Sequence, residues 1–224
     1  MSSWFQDDMK LVAAMGLKRI AYEGGPDLGY TNSVAQTQAI VEAAVLDSRM
    51  TTAIVNMHNA WSNNGGDLLV YYRSAGDAQW SFTQDVYNLA TKKLGAIDAL
   101  NATARAPLTF GTAVPGSMAG SAWDVCSSWV SASNNYTADG SNFIWGSYTF
   151  RSTTAASWTV NISFASASNA SVAVYVDGNL VGTKTTTGGA LAFAAGPIGT
   201  GLHGVIVRAA AGSFALDKVS VATN

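Results

Sequence analysis

The 224-residue chain predicts an α/β segment followed by an all-β domain. Helical and strand patterns alternate in the first half, whereas the second half shows short strands with apolar and polar residues in alternation. The charge density also changes, because residues 1–118 hold 18 of the 26 charged residues. We therefore divide the chain into an α/β segment at residues 1–101, a linker at 102–118 and a β-rich domain at 119–224.

The composition excludes several classes of protein. With 48% hydrophobic and 12% charged residues, the chain does not have the composition of a disordered protein. A net charge of −2 gives no basic surface for nucleic acid or an anionic membrane, and no apolar run reaches the length of a membrane span. The single cysteine, Cys126, excludes an internal disulfide bond and a multi-cysteine zinc site.

Four helices and two strands are predicted in the first half. The helices cover residues 4–15, 33–46, a segment that begins after Asp47, and 92–101, and the strands cover 17–23 and 68–72. In the third helix, Met50, Ile54 and Met57 recur at spacings of four and three, which places them on one face. Strands that alternate with helices through short connections are expected to run parallel.

Two parallel strands are too few to form a complete sheet. Parallel sheets are normally covered on both faces, and uncovered edges expose unpaired backbone groups. We therefore expect this segment to acquire further strands, either from additional upstream chain or from a second copy in a homo-oligomer.

The second half predicts a β-sandwich or jelly roll. Seven strands are expected, at residues 123–130, 143–150, 157–166, 171–176, 180–185, 202–209 and 213–221. Asp177 and Gly178 form the turn of one predicted hairpin, and Ala211 and Gly212 join a second pair.

The motif with the most chemical content is AYEGGPD at residues 21–27. It places Glu23 at the C-terminal end of a predicted parallel strand, followed by two glycines. That end of the strand carries the chemistry in α/β barrels and open α/β sheets. The alternative is that Glu23 only accepts hydrogen bonds from the turn amides or faces solvent.

This motif is part of a longer resemblance, carried by YEGGPDLG, LDSRM, WSNNGGDLLVYY and KKLGAIDAL between residues 22 and 100. Together these segments resemble the last quarter of a bacterial glycoside-hydrolase-like TIM barrel. The resemblance implies that residues 1–101 form a partial (β/α) barrel segment. It also implies that Glu23 occupies the position of the nucleophile in retaining barrel glycosidases.

A retaining glycosidase also needs a second carboxyl group about 5–5.5 Å from the nucleophile. The resemblance assigns that acid/base to a fourth barrel strand, which this chain lacks. Asp27 and Asp67 are candidates by residue type only, and Asp67 lies at the start of its strand, the wrong end for catalysis. We expect the chain alone not to hydrolyse glycosides.

Aromatic residues near the strand ends are consistent with sugar binding. Tyr22, Tyr72 and Trp80 fall at or after strand ends, as does Tyr30, where flat rings stack on pyranose faces. Arg73 is expected to hydrogen-bond a hydroxyl or to orient Glu23. Packing against a helix is an equally good interpretation of Tyr72.

In the second half, VAVYVDGNLVGT and GLHGVIVRAAAGSFALDKVSV resemble jelly-roll carbohydrate-binding modules of families 6 and 35. The resemblance implies polysaccharide binding through aromatic rings near loops, and the candidates are Tyr136, Trp145 and Tyr148. The other tryptophans of this half are expected in the core, namely Trp123, Trp129 and Trp158. The alternative is a β-sandwich that only braces the first half.

Such modules often hold a structural calcium ion. Asp217 matches the ligand position in the final strand, but the usual pair of glutamates is missing from residues 118–124. Calcium is therefore a weak expectation, and no other cofactor is expected. His58 and His203 lie in different domains, so we predict neither a hydrolase triad nor a transition-metal site.

Two functions follow from the sequence. The first is the C-terminal part of a secreted glycoside hydrolase acting on plant or microbial polysaccharide. The second is a non-catalytic carbohydrate-binding or structural module with a vestigial barrel segment. The first ten residues lack the pattern of a secretory signal. An extracellular location is expected from the composition of the second half, with a cytoplasmic protein as the alternative.

Overall fold

The computed structural model describes residues 2–28, 35–127, 130, 134–138 and 143–224, which form two compact units. The α/β unit contains residues 19–107. The β-rich unit contains residues 3–18 and 108–224. Within the described part of the chain, no helix has the length and apolar character needed to cross a membrane.

The elements of the first half are, in chain order, α1 (Ser2–Ala14), β1 (Ile20–Gly24), α2 (Ala35–Leu46), α3 (Arg49–Ser62), β2 (Leu68–Tyr71) and α4 (Lys92–Asn101). The strands that follow are β3 (Thr112–Ala113), β4 (Gly116–Ala119), β5 (Val125–Cys126), β6 (Asn135–Thr137), β7 (Ile144–Ser152), β8 (Ala156–Val176), β9 (Asn179–Thr186), β10 (Leu191–Ile198) and β11 (Gly201–Thr223).

Strands β1 and β2 of the α/β unit run parallel, as the sequence predicts, with Ile20 paired to Leu68. One face of this two-stranded sheet packs on the helices. Tyr71 of β2 contacts the core that Met50 and Ile54 of α3 form with Phe82 and Ala96. The buried positions of α3 are those expected from its apolar spacing.

The opposite face of the β1–β2 sheet is bare. Its large side chains remain exposed to solvent, namely Ile20, Tyr22, Leu68, Val70 and Tyr72. A parallel sheet with one uncovered apolar face is unusual, because parallel sheets are normally covered by helices on both faces. The strands are therefore present as predicted, and the complete barrel that would cover this face stays a prediction.

Polar side chains stand at the starts of α3 and α4, and the Thr91 hydroxyl caps α4. The Asp47 carboxylate accepts hydrogen bonds from the backbone N–H of Arg49 at 2.8 Å and from its guanidinium at 2.6 Å. These hydrogen bonds lower the pKa of Asp47 to about 2. The hydroxyl of Thr91 accepts from the backbone N–H of Leu94 at 3.1 Å. Helix α3 begins two residues after Asp47, and α4 begins directly after its N-cap Thr91.

Two long strands build the β-rich unit. The first part of β8 pairs with β10 and with the last part of β11, whereas the second part of β8 pairs with β9 and with the first part of β11. The first part of β11 continues the second sheet to β7. Because register shifts interrupt the β8–β11 ladder between Ala209 and Lys218, the two strands bend there and form a β-sandwich.

The predicted Asp177–Gly178 hairpin is confirmed, because both residues have positive φ and join β8 to β9. The prediction of a hairpin at Ala211 and Gly212 is wrong. Residues 201–223 form the single strand β11, and residues 156–176 form the single strand β8. Gly212, with φ of 65°, lies within a run of bulges, so the chain bends and continues in the same direction.

The segment interpreted as a linker carries two short strands of the β-rich unit. Thr112 and Ala113 form β3, which pairs with β7, and β4 at residues 116–119 pairs with the end of β11. Short strands with a proline between them do not show a readable alternation, which is why the sequence gives no strand signal here.

Helix α1 belongs to the β-rich unit, although the sequence analysis grouped it with the α/β segment. A Cβ atom at Gly204 of β11 would lie 2.2 Å from Cα of Ala14, so the helix backbone rests directly on this strand. A Cβ atom at Gly178 would lie 2.5 Å from the carbonyl oxygen of Met15. Lys10 forms an ion pair with Asp124 at 3.1 Å. Glycine at two positions thus permits a helix-on-sheet contact that the sequence does not reveal.

We expect Gly204→Ala to separate α1 from the β-rich unit, because the added methyl group overlaps the helix backbone. Overpacking of this kind costs about 1–3 kcal/mol. Urea unfolding, together with limited proteolysis of residues 15–18, measures the effect. Gly196→Ala is the matched control, since a Cβ atom there meets nothing within 4 Å. Equal stability of the two variants would contradict this packing.

Candidate functional site

A cavity of about 640 Å³ lies at the C-terminal ends of β1 and β2. Its lining comes from the loop after β1 and from the segment after β2, and consists of Tyr22, Glu23, Gly24, Gly25, Pro26, Asp27, Tyr72 and Trp80. The structure thus brings together four site residues predicted from the sequence: Tyr22, Glu23, Tyr72 and Trp80. They meet because parallel strands end at the same edge of a sheet.

The two glycines of the motif allow the close backbone geometry beneath the cavity. A Cβ atom at Gly24 would lie 2.6 Å from Cδ1 of Leu69, so β1 approaches β2 more closely than a larger residue permits. Gly25 has φ of 123°, a conformation that L side chains rarely adopt. The chain can therefore turn immediately after Glu23 and keep this carboxylate at the rim of the sheet.

Three aromatic rings give the cavity its apolar surface. The rings of Tyr72 and Trp80 meet edge to face, with centroids 5.9 Å apart and an interplanar angle of 88°. Trp80 is 38% exposed, Tyr72 is 54% exposed and Tyr22 is 82% exposed. Because the tyrosine and tryptophan rings support one another and remain accessible, they form a surface on which a flat apolar ligand face can stack.

Two carboxylates line the same cavity. Glu23 accepts a hydrogen bond from the Tyr22 hydroxyl, and this hydrogen bond raises the pKa of the Tyr22 phenol. Asp27 accepts a hydrogen bond from the Gln79 amide at 2.7 Å. The other carboxylate considered from the sequence, Asp67, lies at the opposite end of β2, where it accepts a hydrogen bond from the backbone N–H of Arg19. Asp67 therefore takes no part in this cavity.

Arg73 is placed differently from the expectation. Its guanidinium forms an ion pair with Asp77 at 2.5 Å, and it is not among the residues that line the cavity. The same Asp77 carboxylate accepts a hydrogen bond from the backbone N–H of Trp80 at 3.0 Å. Arg73 thus acts on the cavity through the loop that carries Trp80.

That loop spans residues 73–83 and is called the Trp80 loop below. Its two ends are joined by backbone hydrogen bonds, from Gly76 to the carbonyl of Thr83 at 2.9 Å and from Phe82 to the carbonyl of Ser74 at 3.2 Å. The sequence predicts no helix or strand in this segment. Tight loops of this kind carry no periodic signal, so only the tertiary structure shows that Trp80 is held by its surroundings.

His58 has a structural role in the α/β unit. Its Nδ1 atom lies 2.9 Å from the hydroxyl of Tyr71, whose ring packs against Phe82. Burial, together with the positive charge of Arg105, lowers the pKa of His58. This partly buried hydrogen bond joins α3 to β2.

Tyr136 and Tyr148 are core residues of the β-rich unit, which corrects their interpretation as sugar-stacking residues. Both are 0% exposed, and their hydroxyl oxygens lie 3.2 Å apart. Tyr148 donates to the carbonyl of Gly120 at 2.7 Å, and the ring of Tyr136 stacks on Phe214. Burial raises the pKa of Tyr136 to about 12 and raises that of Tyr148 as well. Because successive side chains of a strand point to opposite faces of the sheet, an aromatic residue next to a loop can still point into the core.

Trp145 is the remaining aromatic candidate of this unit, and it is half-buried. It lies opposite Arg208 in the β7–β11 ladder. The guanidinium of Arg208 stands 4.2 Å from the ring centroid of Phe143, and it donates to the Tyr175 hydroxyl at 3.3 Å. Phe143 is largely exposed. Trp145 therefore lies on a surface that also contains the exposed ring of Phe143 and the guanidinium of Arg208. The sequence did not indicate that Phe143 and Arg208 belong to this surface.

The remaining tryptophans of the β-rich unit agree with their assignment where they are described. Trp158 is fully buried, and Trp123 is partly buried against the same core. Trp129 and Tyr30 lie outside the described residues.

The calcium site implied by the resemblance is not assembled in the described part of the chain. No group of three or more His, Cys, Asp or Glu side chains comes together there. Asp217 is exposed on β11, and Asp124 is engaged by Lys10 and by the backbone N–H of Thr149. Calcium normally takes six to eight oxygen ligands. A structural calcium ion at Asp217 therefore stays a prediction.

No protein-family model matches the chain, and no curated protein matches it in sequence. A comparison with solved structures finds matches to parts of the chain. A family 35 carbohydrate-binding module from an environmental isolate is 18% identical, with a TM-score of 0.35, over 49% of this chain and 93% of that one. A family 36 module, described in complex with calcium and xylotriose, is 13% identical, with a TM-score of 0.34, over 48% of this chain and 99% of that one.

A GH26-CBM35 β-(1,4)-mannanase from Podospora anserina is 8% identical, with a TM-score of 0.37, over 49% of this chain. The alignment spans 27% of the length of that mannanase. These neighbours are carbohydrate-binding modules or contain one, which is the class that the second half of the sequence resembles. The low identities and TM-scores assign no function to this chain.

The hydrogen bond between Tyr22 and Glu23 predicts a titration effect in the cavity. The negative charge of Glu23 disfavours ionisation of the phenol, so Glu23→Gln should lower the pKa of Tyr22 toward its ordinary value of about 10. A pH titration of ¹³Cζ-labelled tyrosine resonances measures this shift. Tyr87, which is 93% exposed and does not line the cavity, is the internal control. An unaltered Tyr22 titration would show that the two side chains do not interact.

Proposed function

We propose that the chain is a carbohydrate-active protein that binds a glycan in the cavity at the ends of β1 and β2. The observation that supports this proposal is the combination of accessible aromatic rings with two carboxylates in a single cavity. Ring faces attract the apolar C–H face of a pyranose, while carboxylate oxygens accept hydrogen bonds from its hydroxyl groups.

The charge of the cavity favours a neutral glycan. The described residues that line it include the carboxylates of Glu23 and Asp27, and none of these lining residues is cationic. A phosphorylated or sulfated ligand would be repelled by the carboxylates, since like charges brought together cost free energy. An uncharged sugar is not repelled by the carboxylates, and its hydroxyl groups can donate hydrogen bonds to both of them. We therefore propose plant or microbial polysaccharides of neutral sugars as the ligands.

We further propose Glu23 as the nucleophile of a retaining glycoside hydrolase, as the barrel resemblance implies. That reaction needs a second carboxyl group about 5–5.5 Å away, which acts first as acid and then as base. Asp27 is a weak candidate because Gln79 already binds it. The bare face of the β1–β2 sheet is where further strands would add such a group. They would come from additional chain or from a second copy.

The alternative proposal is a non-catalytic carbohydrate-binding or structural module with a vestigial barrel segment. The surface around Trp145 supports it, because an aromatic ring beside Arg208 offers stacking and hydrogen bonds without a nucleophile. Under either proposal the expected location is extracellular, where insoluble polysaccharide is found.

Glycan binding should depend on the two rings that meet edge to face. We expect Trp80→Ala and Tyr72→Ala each to weaken binding to cellulose or xylan about tenfold, since a stacked ring contributes about 0.5–1.5 kcal/mol beyond its buried area. A pull-down on the insoluble glycans, followed by titration with soluble oligosaccharides, measures the loss. Trp4→Ala is the matched control, because Trp4 is 80% exposed in the other unit.

The same assay separates the two binding proposals. Loss of binding in Trp145→Ala, with Trp80→Ala unchanged, would overturn the cavity proposal and support the surface around Trp145. Loss in neither variant would contradict glycan binding at both places.

Hydrolysis should require more than one copy of this chain. We expect the monomer to bind soluble cellulose or xylan without cleaving it. We expect any cleavage by an oligomer to fall by at least about 10³-fold in Glu23→Gln, because an amide cannot act as the nucleophile. Reducing-sugar release by fractions separated by size, with mass measured by light scattering, tests this. Equal residual activity of the wild type and Glu23→Gln would contradict a catalytic Glu23.

A further inference from the structure

Lys93 is the one fully buried charged side chain in the described part of the chain. It is the second residue of α4 and has an exposed lysine, Lys92, beside it. The N-terminal end of a helix carries a partial positive charge, so a cation in the first turn is unfavourable. Burial of the ammonium group is also unfavourable unless its donors are satisfied. The position of Lys93 therefore requires a compensating interaction.

That interaction is with the Trp80 loop. The Nζ atom of Lys93 donates to the carbonyl oxygens of Ala78 and Ser81, each at 2.8 Å, and lies 3.4 Å from that of Gln79. A lysine ammonium has three N–H donors and no acceptor, so three converging carbonyl groups satisfy it completely. These carbonyl groups come from the residues on both sides of Trp80.

We propose that Lys93 is a positioning residue that fixes the Trp80 loop, so that the Trp80 ring meets Tyr72 and stacks on the bound sugar. The effect on sugar affinity rests on the glycan-binding function proposed above, whereas the effect on the loop does not. Lys93 has no contact with the cavity itself, because it is not among the lining residues.

Other hydrogen bonds, both within the loop and from its neighbours, do not involve the three carbonyl groups that Lys93 binds. Asp77 binds the backbone N–H of Trp80 and the guanidinium of Arg73 at the exposed side of the loop. The Gln79 side chain binds Asp27 across the cavity entrance. Lys93 acts at the inner side, where three backbone carbonyl groups would otherwise be buried without donors. Unpaired buried carbonyl groups are costly, so the loop would have to move to reach water.

The charge of Lys93 makes this arrangement sensitive to pH. Burial lowers the pKa of Lys93 to about 8, although the nearby Asp77 carboxylate opposes the shift. Above this pH the neutral amine keeps two N–H donors and turns a lone pair toward one of the carbonyl groups. The charged groups of the loop itself are Asp77 and Arg73, and Asp27 binds the Gln79 side chain of the loop.

The experiment compares Lys93→Met with Lys92→Met in protein labelled with 5-fluorotryptophan. Methionine keeps the length of the side chain and removes every donor, and the Lys92 variant removes the same charge from the exposed neighbour. The ¹⁹F resonance of Trp80, assigned with Trp80→Phe, reports the position of the loop. The resonance of Trp61, which lies under the guanidinium of Arg19 in the same unit, reports the fold.

We expect Lys93→Met to shift or broaden the Trp80 resonance while the Trp61 resonance stays unchanged, and Lys92→Met to alter neither. We also expect the affinity for cello- or xylo-oligosaccharides to fall at least about tenfold in Lys93→Met only. An unchanged Trp80 resonance in Lys93→Met would overturn the proposal. If the wild type binds no glycan, the proposed function fails, and the ¹⁹F comparison still decides the role of Lys93.

A pH titration of the wild type keeps the proposal testable if Lys93→Met does not fold. We expect the Trp80 resonance to titrate with a midpoint near pH 8, with the Trp61 resonance constant. Global unfolding would not produce this titration of the Trp80 resonance. An unfolded lysine has a pKa near 10.4, so the unfolded chain binds more protons between pH 8 and 10.4 and the Lys93 contribution to stability rises with pH. A Trp80 resonance that is constant from pH 7 to 9.5 would overturn the proposal.

Discussion

The α/β unit depends on one constraint: a pair of parallel strands is covered by helices on one face only. On the covered face, Tyr71 packs against the core that α3 and α4 form. This contact fixes the position of the sheet on the helices, and with it the position of the strand ends. The ends of the strands form the rim of the cavity. The uncovered face leaves a row of apolar side chains in water, including Ile20 and Val70, which a complete sheet would bury.

The cavity obtains its shape from backbone geometry more than from side-chain packing. Gly24 and Gly25 let the chain turn directly after Glu23, and the closed Trp80 loop returns an aromatic ring to the same rim. Hydrogen bonds to Asp77 and Lys93 hold that loop from two sides. A loop held in this way can present an exposed ring without the large entropy loss that a free loop would undergo on binding.

The β-rich unit differs from the α/β unit, because its apolar core is enclosed on both sides by strands. Two long strands pass through both sheets, so the inward residues of β8 and β11 supply both layers of one continuous core. That closure also explains why Tyr136 and Tyr148 are unavailable to a ligand. Aromatic side chains that satisfy one another by hydrogen bonding inside a core contribute to stability. Under the alternative proposal, this unit would recognise sugar at the surface around Trp145.

The sequence by itself determined the local elements and the grouping of the cavity residues. Apolar spacing located α3, and the Glu-Gly-Gly motif placed Glu23 at a strand end beside Tyr22. These features depend on neighbours within a few residues, so they can be read from the chain. Tertiary structure alone decided that β8 and β11 run through both sheets and that α1 rests on Gly204. It also decided that Tyr136 points inward and that Lys93 lies under the Trp80 loop. Each of these depends on contacts between residues distant in sequence, for which a single sequence carries no periodic signal.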